Sequence, residues 1–230
     1  MTSSIKVRGS SFDTTEYTCT TDTDSANITM GKTEQNVSTP DTKQPAACIL
    51  PDLLYLGPVS ATANTAFLER QGITHILSVG RGPASHIPGI TYARLTLTDH
   101  ESSSIKHCTN KACELIDAVL NSNGRVLVHC VAGISRSPTM IAAYLMKRLG
   151  MTLRESLTLL VEARAVVAPN PGFLRQLSEM EKDIFNGKST FDPAGVTSST
   201  RLAAYLERTR PEAEGAATKA QDIVGAHPSL

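Results

Sequence analysis

One stretch of this chain leaves its folding few options. Arg125-Val126-Leu127-Val128-His129 is short and continuously apolar at its centre, the composition of a strand covered on both faces. A loop containing Gly133 follows. Then Pro138 to Leu149 is apolar nearly all round, which is how a helix reads when it is buried in the middle of a domain. A doubly covered strand beside a buried helix needs further elements on both sides.

The flanking sequence supplies them as alternating strand and helix signals, so the expected fold class is an α/β layered domain. Leu53-Leu54-Tyr55-Leu56 before Gly57-Pro58 reads as a short strand and turn. Ser60 can cap a helix that ends at Gly72. Ile73 to Val79 and Thr91 to Leu97 read as strands. Ile105, Cys108, Ala112, Leu115, Ile116 and Val119 share one helical face, and Asn123-Gly124 stops that helix. Gly150 ends the buried helix. Thr152 and Glu155 form a capping box for the next one, with Leu153, Leu157, Leu160 and Val161 inward. A last helix from about Pro171 to Phe185 presents Phe173, Leu174, Leu177, Met180, Ile184 and Phe185 on its apolar face.

This domain spans residues 46–187. Residues 1–44 are rich in Ser and Thr and poor in large apolar groups, and are expected to be a disordered tail. Thr39-Pro40 reads as linker rather than as a proline-directed phosphorylation site. Residues 188–230 are expected to be mostly disordered, with a short, frayed, solvent-exposed helix carrying Leu202, Tyr205 and Leu206 behind Thr200 as cap.

Charge and cysteine usage exclude several classes. Lys plus Arg number 22 and so do Asp plus Glu. That balance argues against a general nucleic-acid or membrane-surface binder, which would carry a basic excess. The 5 cysteines include no C-x-x-C pair, so neither a zinc site nor a disulfide framework is expected. No apolar run is long enough to span a bilayer, no signal-peptide pattern opens the chain, and Met1-Thr2 lacks the glycine that myristoylation requires. A soluble protein of a reducing compartment, cytoplasmic or nuclear and without a membrane anchor, is expected.

The chemistry lies between the buried strand and the buried helix, in His129-Cys130-Val131-Ala132-Gly133-Ile134-Ser135-Arg136-Ser137-Pro138. A sharp strand-to-helix turn aims successive N–H groups at its own centre, and the helix N-terminus adds its positive end. Gly133 permits the close approach, and Pro138 is tolerated in the first helical turn. Such a ring with one Arg suits a phosphate-like dianion, and the Arg136 fork can grip two phosphoryl oxygens at once. Cys130 at its base becomes a stabilised thiolate, a nucleophile at neutral pH. Cys-x5-Arg spacing alone is a weak signal. The preceding His, central Gly, following Ser and flanking elements strengthen it.

His129 to Ser137 resembles the H-C-x-x-G-x-x-R-[ST] loop of cysteine-based protein tyrosine phosphatases, and A-G-I-S-R-S-P is similar to the dual-specificity branch. Leu54-Tyr55-Leu56-Gly57, Gly72 to Leu77, Ala143 to Met146 and Pro169 to Phe173 fit the same family, over about 46–187 and neither tail. With no second recognisable domain, the likeness is to the small, atypical members. It implies a three-layer domain with a mostly parallel, twisted central sheet flanked by helices. It implies catalysis by Cys130, Arg136, Asp99 and Ser137, with phosphate held by Val131, Ala132, Gly133, Ile134, Ser135 and Arg136. It needs no metal or cofactor. Asp99, just after the strand ending at Leu97, takes the place of the family's general acid, with His100 and Glu101 as neighbouring rivals. The resemblance makes His129 a support for the loop rather than a base. Asn170 either braces the loop or caps the last helix. Arg164-Ala165 departs from the family's common Arg-Pro. Cys108 and Cys113 read as core. Cys48 is a candidate for reversible oxidation with Cys130, if the two are close.

The variable loop positions Val131, Ala132, Ile134 and Ser135 carry no basic residue. This favours singly phosphorylated proteins, kinases among them, over inositol lipids or an RNA 5′ end. By family analogy a shallow pocket accepts phosphotyrosine, phosphoserine and phosphothreonine. Two other readings stay open. One is a phosphoprotein-binding pseudophosphatase. The other is a different thiolate enzyme with an anion loop, such as an arsenate reductase or sulfurtransferase. Oligomeric state leaves no trace in the sequence.

Overall fold

A computed structural model describes residues 4–6, 16–18, 45–196 and 201–210. Near the N-terminus β1 (Ser4–Lys6) pairs antiparallel with β2 (Glu16–Thr18), a ladder not expected from the composition of residues 1–44. The rest of that segment, including Thr39-Pro40, lies outside the described residues, as do Thr200 and 211–230.

The domain begins with β3 (Ala47–Leu50) and β4 (Leu54–Pro58), then a 3-10 turn (Val59–Ala63) and α1 (Thr65–Arg70). Next come β5 (His75–Val79), β6 (Thr91–Leu95), α2 (Lys106–Asn121), β7 (Val126–Cys130) and α3 (Arg136–Leu149). It continues with α4 (Leu153–Ala163), α5 (Pro171–Phe185) and α6 (Leu202–Arg208). The five-stranded sheet has the order β3-β4-β7-β5-β6, with β4, β7, β5 and β6 mutually parallel and β3 an antiparallel edge. The sheet is thus mostly parallel, as expected.

β7 sits at the centre with all five residues buried. Alternation along it serves two cores. Val126 and Val128 join the larger one, with Met140, Leu145, Leu157, Leu160, Phe173 and Leu177. Leu127 joins the smaller one on the other face, with Tyr55, Phe67, Leu68, Ile73 and Ile76. Residues 137–146 of α3 are buried without interruption, so the apolar circumference of that helix follows from its place at the middle of the larger core. The capping box of α4 is present, and Gly150 closes α3 at φ +65°.

Three expectations need correction. The first helix starts at Thr65, capped by Asn64 rather than Ser60, because the tighter 3-10 turn occupies residues 59–63. Phe185, the last residue of α5, is exposed instead of inward. The chain after Gly187 is not loose where it is described. Glu181 is buried, and its carboxylate accepts from Leu153 N, Ser189 Oγ, Thr190 N and Thr190 Oγ1, which ties the segment after α5 to the start of α4. Phe191 then packs edge-on against Tyr205 of α6, and Leu202, Tyr205 and Leu206 are buried. The expected frayed helix is thus a packed one, because its apolar stripe meets α4.

Candidate active site

The loop after β7 leaves the carboxyl edge of the sheet at its centre and enters α3 at Arg136. Its carbonyl groups reveal how the backbone faces. The carbonyl of Cys130 accepts from His129 Nδ1, Val131 O from Val59 N, and Ala132 O from Arg164 Nη2. Gly133 O accepts from Arg164 Nε, Ile134 O from Ala168 N, and Ser135 O from Thr139 N and Oγ1. Six successive carbonyls are therefore all hydrogen-bonded, four of them by residues remote in sequence. In a trans peptide the next N–H points the opposite way from the carbonyl, and the N–H groups of Gly133, Ile134 and Ser137 reach the Cys130 sulfur. The loop's shape is thus held by partners outside its own turn, Val59, Arg164 and Ala168 among them.

Cys130 lies at its floor, 2% exposed. Burial alone would raise its pKa. The Ser137 hydroxyl, 3.2 Å from Sγ, and the N–H groups of Ser137, Ile134 and Gly133 outweigh burial, and the net shift is downward, favouring the thiolate. Cys113 is pushed up to about 11 by burial, and Cys108 and Cys48 are also raised, burial first. Cys130 alone among the described thiols is tuned to ionise.

Two glycines make room for this loop. Gly133 has φ +67°, and a Cβ there would stand 2.7 Å from both C and O of Gly57 on β4. Gly80, at the end of β5, lies against the Arg136 guanidinium, which a side chain at 80 would overlap. Arg136 Nε is buried without a hydrogen bond, and its nearest anionic atom is Asp99 Oδ2 at 3.5 Å. An oxyanion in the cradle would complete it.

Asp99 follows β6 on the loop that overhangs the cradle. Its Oδ1 accepts from Ser135 Oγ at 2.7 Å and from Asn170 Nδ2 at 2.9 Å. Asn170 both caps α5 and braces the loop. Its Oδ1 caps α5 at Phe173 N, while Nδ2 holds Asp99 and its N–H donates to Ser135 Oγ. The start of α5 grips the rest of the Asp99 loop. Gly172 lies against the Glu101 backbone, Arg175 pairs with Glu101 at 2.9 Å, and Gln176 bonds Ser103 O and Ile105 N. Glu101 is thereby committed to Arg175, and His100 to Ser102. Of the three acidic or basic rivals, Asp99 is the one bound to the cradle.

His129 is fully buried and braces the site. Burial lowers its pKa, so the ring is neutral. Nδ1 faces the Cys130 carbonyl, which can only accept, so Nδ1 carries the proton and Nε2 accepts from Ser78 Oγ at 2.8 Å. Ser78 escaped the sequence reading, and its one signal is a hydroxyl inside an apolar strand. The packing roles of Gly57, Gly80 and Arg164 escape it too. Cys48 is too far for a disulfide with Cys130. It pairs with Tyr55, while Cys130 pairs with Pro58, three residues along and two strands across, about 14 Å by sheet spacings. A disulfide needs Cα atoms within about 7 Å.

Fold and site together define a class: phosphatases that hold a cysteine thiolate beneath a backbone phosphate cradle between a central strand and its helix. Residues 54–183 match the model of the dual specificity phosphatase catalytic domain, and the chain belongs to that family. It is 40% identical over 133 residues to dual specificity protein phosphatase 1 of Arabidopsis thaliana, covering 57% of this chain and 67% of that one. It is 35% identical over 172 residues to dual specificity protein phosphatase 5 of Rattus norvegicus, covering 73% of this chain but only 44% of that one. The chain thus spans less than half of the rat relative. The crystal structure of human DUSP28 superposes with a TM-score of 0.58 at 28% identity, over 64% of this chain and 99% of that one.

Proposed function

We propose that this chain hydrolyses phosphotyrosine and phosphoserine or phosphothreonine in proteins through a cysteinyl-phosphate. The observation that carries the reading is the buried Cys130 sulfur within reach of the Ser137 hydroxyl and of the N–H groups of Gly133, Ile134 and Ser137, at the start of α3. Substrate phosphate enters the ring of residues 131–136 beside Arg136. Cys130 Sγ attacks phosphorus, the S–P bond forms, and the ester P–O bond breaks. Asp99, protonated, gives its proton to the leaving oxygen. The carboxylate then takes a proton from water, whose oxygen attacks phosphorus, and the thiolate departs. The Ser137 hydroxyl stabilises that departing sulfur. The N–H ring and Arg136 meet the charge on the equatorial oxygens in both steps.

The absence of basic residues at 131, 132, 134 and 135 supports phosphoproteins over inositol lipids. The four described cysteines are all free, which supports a reducing workplace such as cytoplasm or nucleus. The test is phosphate release from an aryl phosphate and from matched phosphotyrosine and phosphothreonine peptides, with chelator present and vanadate as inhibitor. Cys130→Ser should abolish release. Asp99→Ala should slow it by about 10²–10⁴-fold while still retaining substrate. Binding without release by the wild type would favour the pseudophosphatase reading.

A further inference from the structure

Arg164 closes α4 and sends its guanidinium across to the loop, Nη2 to Ala132 O at 3.1 Å and Nε to Gly133 O at 3.2 Å. Those two carbonyls belong to the peptide units that end in the N–H groups of Gly133 and Ile134. These are two of the backbone donors that reach the Cys130 sulfur. One planar fork therefore grips, from behind, the two amides that face the nucleophile. A cation on a carbonyl also polarises the amide and strengthens its N–H as a donor.

We propose that Arg164 is a positioning residue of the phosphatase reaction: by fixing the Ala132–Gly133 and Gly133–Ile134 peptide planes it holds Cys130 as thiolate. The inference rests on the phosphatase reading for its consequence in turnover, but not for its geometry. The other groups around the sulfur are accounted for. β7 contributes neutral His129, with its Nδ1–H on Cys130 O. α3 contributes Arg136 and Ser137, and the loop after β6 contributes Asp99, paired with Arg136. From β4, Gly57 and Pro58 adjoin the loop and carry no charge. Among the described residues, Arg164 is the one ionised group that reaches the sulfur's donors through their carbonyls. Lys would keep the charge but hold one carbonyl at a time.

The test is the pH dependence of Cys130 alkylation by iodoacetamide in the full chain, read by mass spectrometry of the Cys130 peptide. Wild type, Arg164→Ala and Arg164→Lys are compared. The alkylation midpoint of Arg164→Ala should rise by about one pH unit, a tenfold loss of thiolate below it, with Arg164→Lys between. kcat/KM on an aryl phosphate should fall on the acidic limb and recover in alkali. Should the Ala variant not fold, the Lys midpoint carries the test. An Ala profile superimposed on the wild type, or a Lys profile identical with it, overturns the proposal. So does an equal activity loss at every pH with an unmoved midpoint. Alkylation requires no turnover, so a wild type that released no phosphate would sink the proposed function separately.

Discussion

Gly133→Ala tests whether the cradle is as tightly built as its geometry says. Two penalties apply at once. The residue sits at φ +67°, where an L side chain costs about 1–2 kcal/mol. The new Cβ would also lie 2.7 Å from the carbonyl group of Gly57 and 2.9 Å from Pro58 N, all backbone of a central strand. A flexible side chain could yield, but a paired strand cannot without moving the sheet, so overpacking adds about 1–3 kcal/mol. The sum is about 2–5 kcal/mol. Gly150→Ala provides the control. It has φ +65° with nothing within 4 Å of its Cβ, so only the conformational penalty of about 1–2 kcal/mol remains. At about 2–4 °C per kcal/mol for a domain of this size, thermal melts should separate the two variants by several degrees. Activity should separate them further. Gly150→Ala should keep the wild-type kcat/KM, while Gly133→Ala, forcing the N–H ring off its sulfur, should lose about 10²-fold or more. Equal melting points, or undiminished turnover in Gly133→Ala, would refute the account of how the loop is seated.

Ser137→Ala removes a donor 3.2 Å from the buried sulfur. A hydrogen bond to a charged group contributes about 1.5–3 kcal/mol, so the Cys130 pKa should rise by about one to two units, seen as a shifted acidic limb in kcat/KM. Ser78→Ala leaves His129 Nε2 buried without its donor and should cost about 1–3 kcal/mol in urea unfolding, with the loss of activity tracking loop order rather than a missing base. His129 also sets an acid sensitivity. Its folded pKa lies below the unfolded value, so the unfolded chain takes up the proton first as pH falls through about 6.5, and stability declines below that point. Unfolding free energies that stay constant from about pH 7.5 to 5 would contradict this. Glu181→Ala orphans the buried N–H of Leu153 and frees the 189–191 segment. It should cost about 2–4 kcal/mol with little effect on turnover, since Glu181 lies about 16 Å along α5 from Asn170.

The phosphatase loop and most elements around it are legible in the sequence because their causes are local. The capping box of Thr152 and Glu155, the left-handed stop at Gly150 and the apolar strand of β7 each depend on residues within a few positions. So does the loop from Cys130 to Ser137, where strand, turn and helix N-terminus follow one another along the backbone. Asp99 is legible only through family resemblance. No local rule says which carboxylate of Asp99-His100-Glu101 will face a loop so far away.

Tertiary structure decided what holds the loop in place. Ser78 meets His129, Arg164 meets Gly133, and Asn170 meets Asp99, with 51, 31 and 71 positions between them. Sheet order put β5 beside β7, and helix packing brought the end of α4 and the start of α5 to the loop; nothing in a side chain's own neighbourhood encodes either. The same holds for Gly57 and Gly80, whose missing side chains matter only because Gly133 and Arg136 come to rest on them. It holds for residues 189–191 and 202–206 as well, whose composition reads as a tail until Glu181 and α4 supply the partners they lack in sequence. Periodicity and capping fix which segments are strand, loop or helix, because hydrogen bonds and side-chain crowding act over a turn. Which distant donor satisfies which buried acceptor is fixed only when the layers close and leave no water to do it.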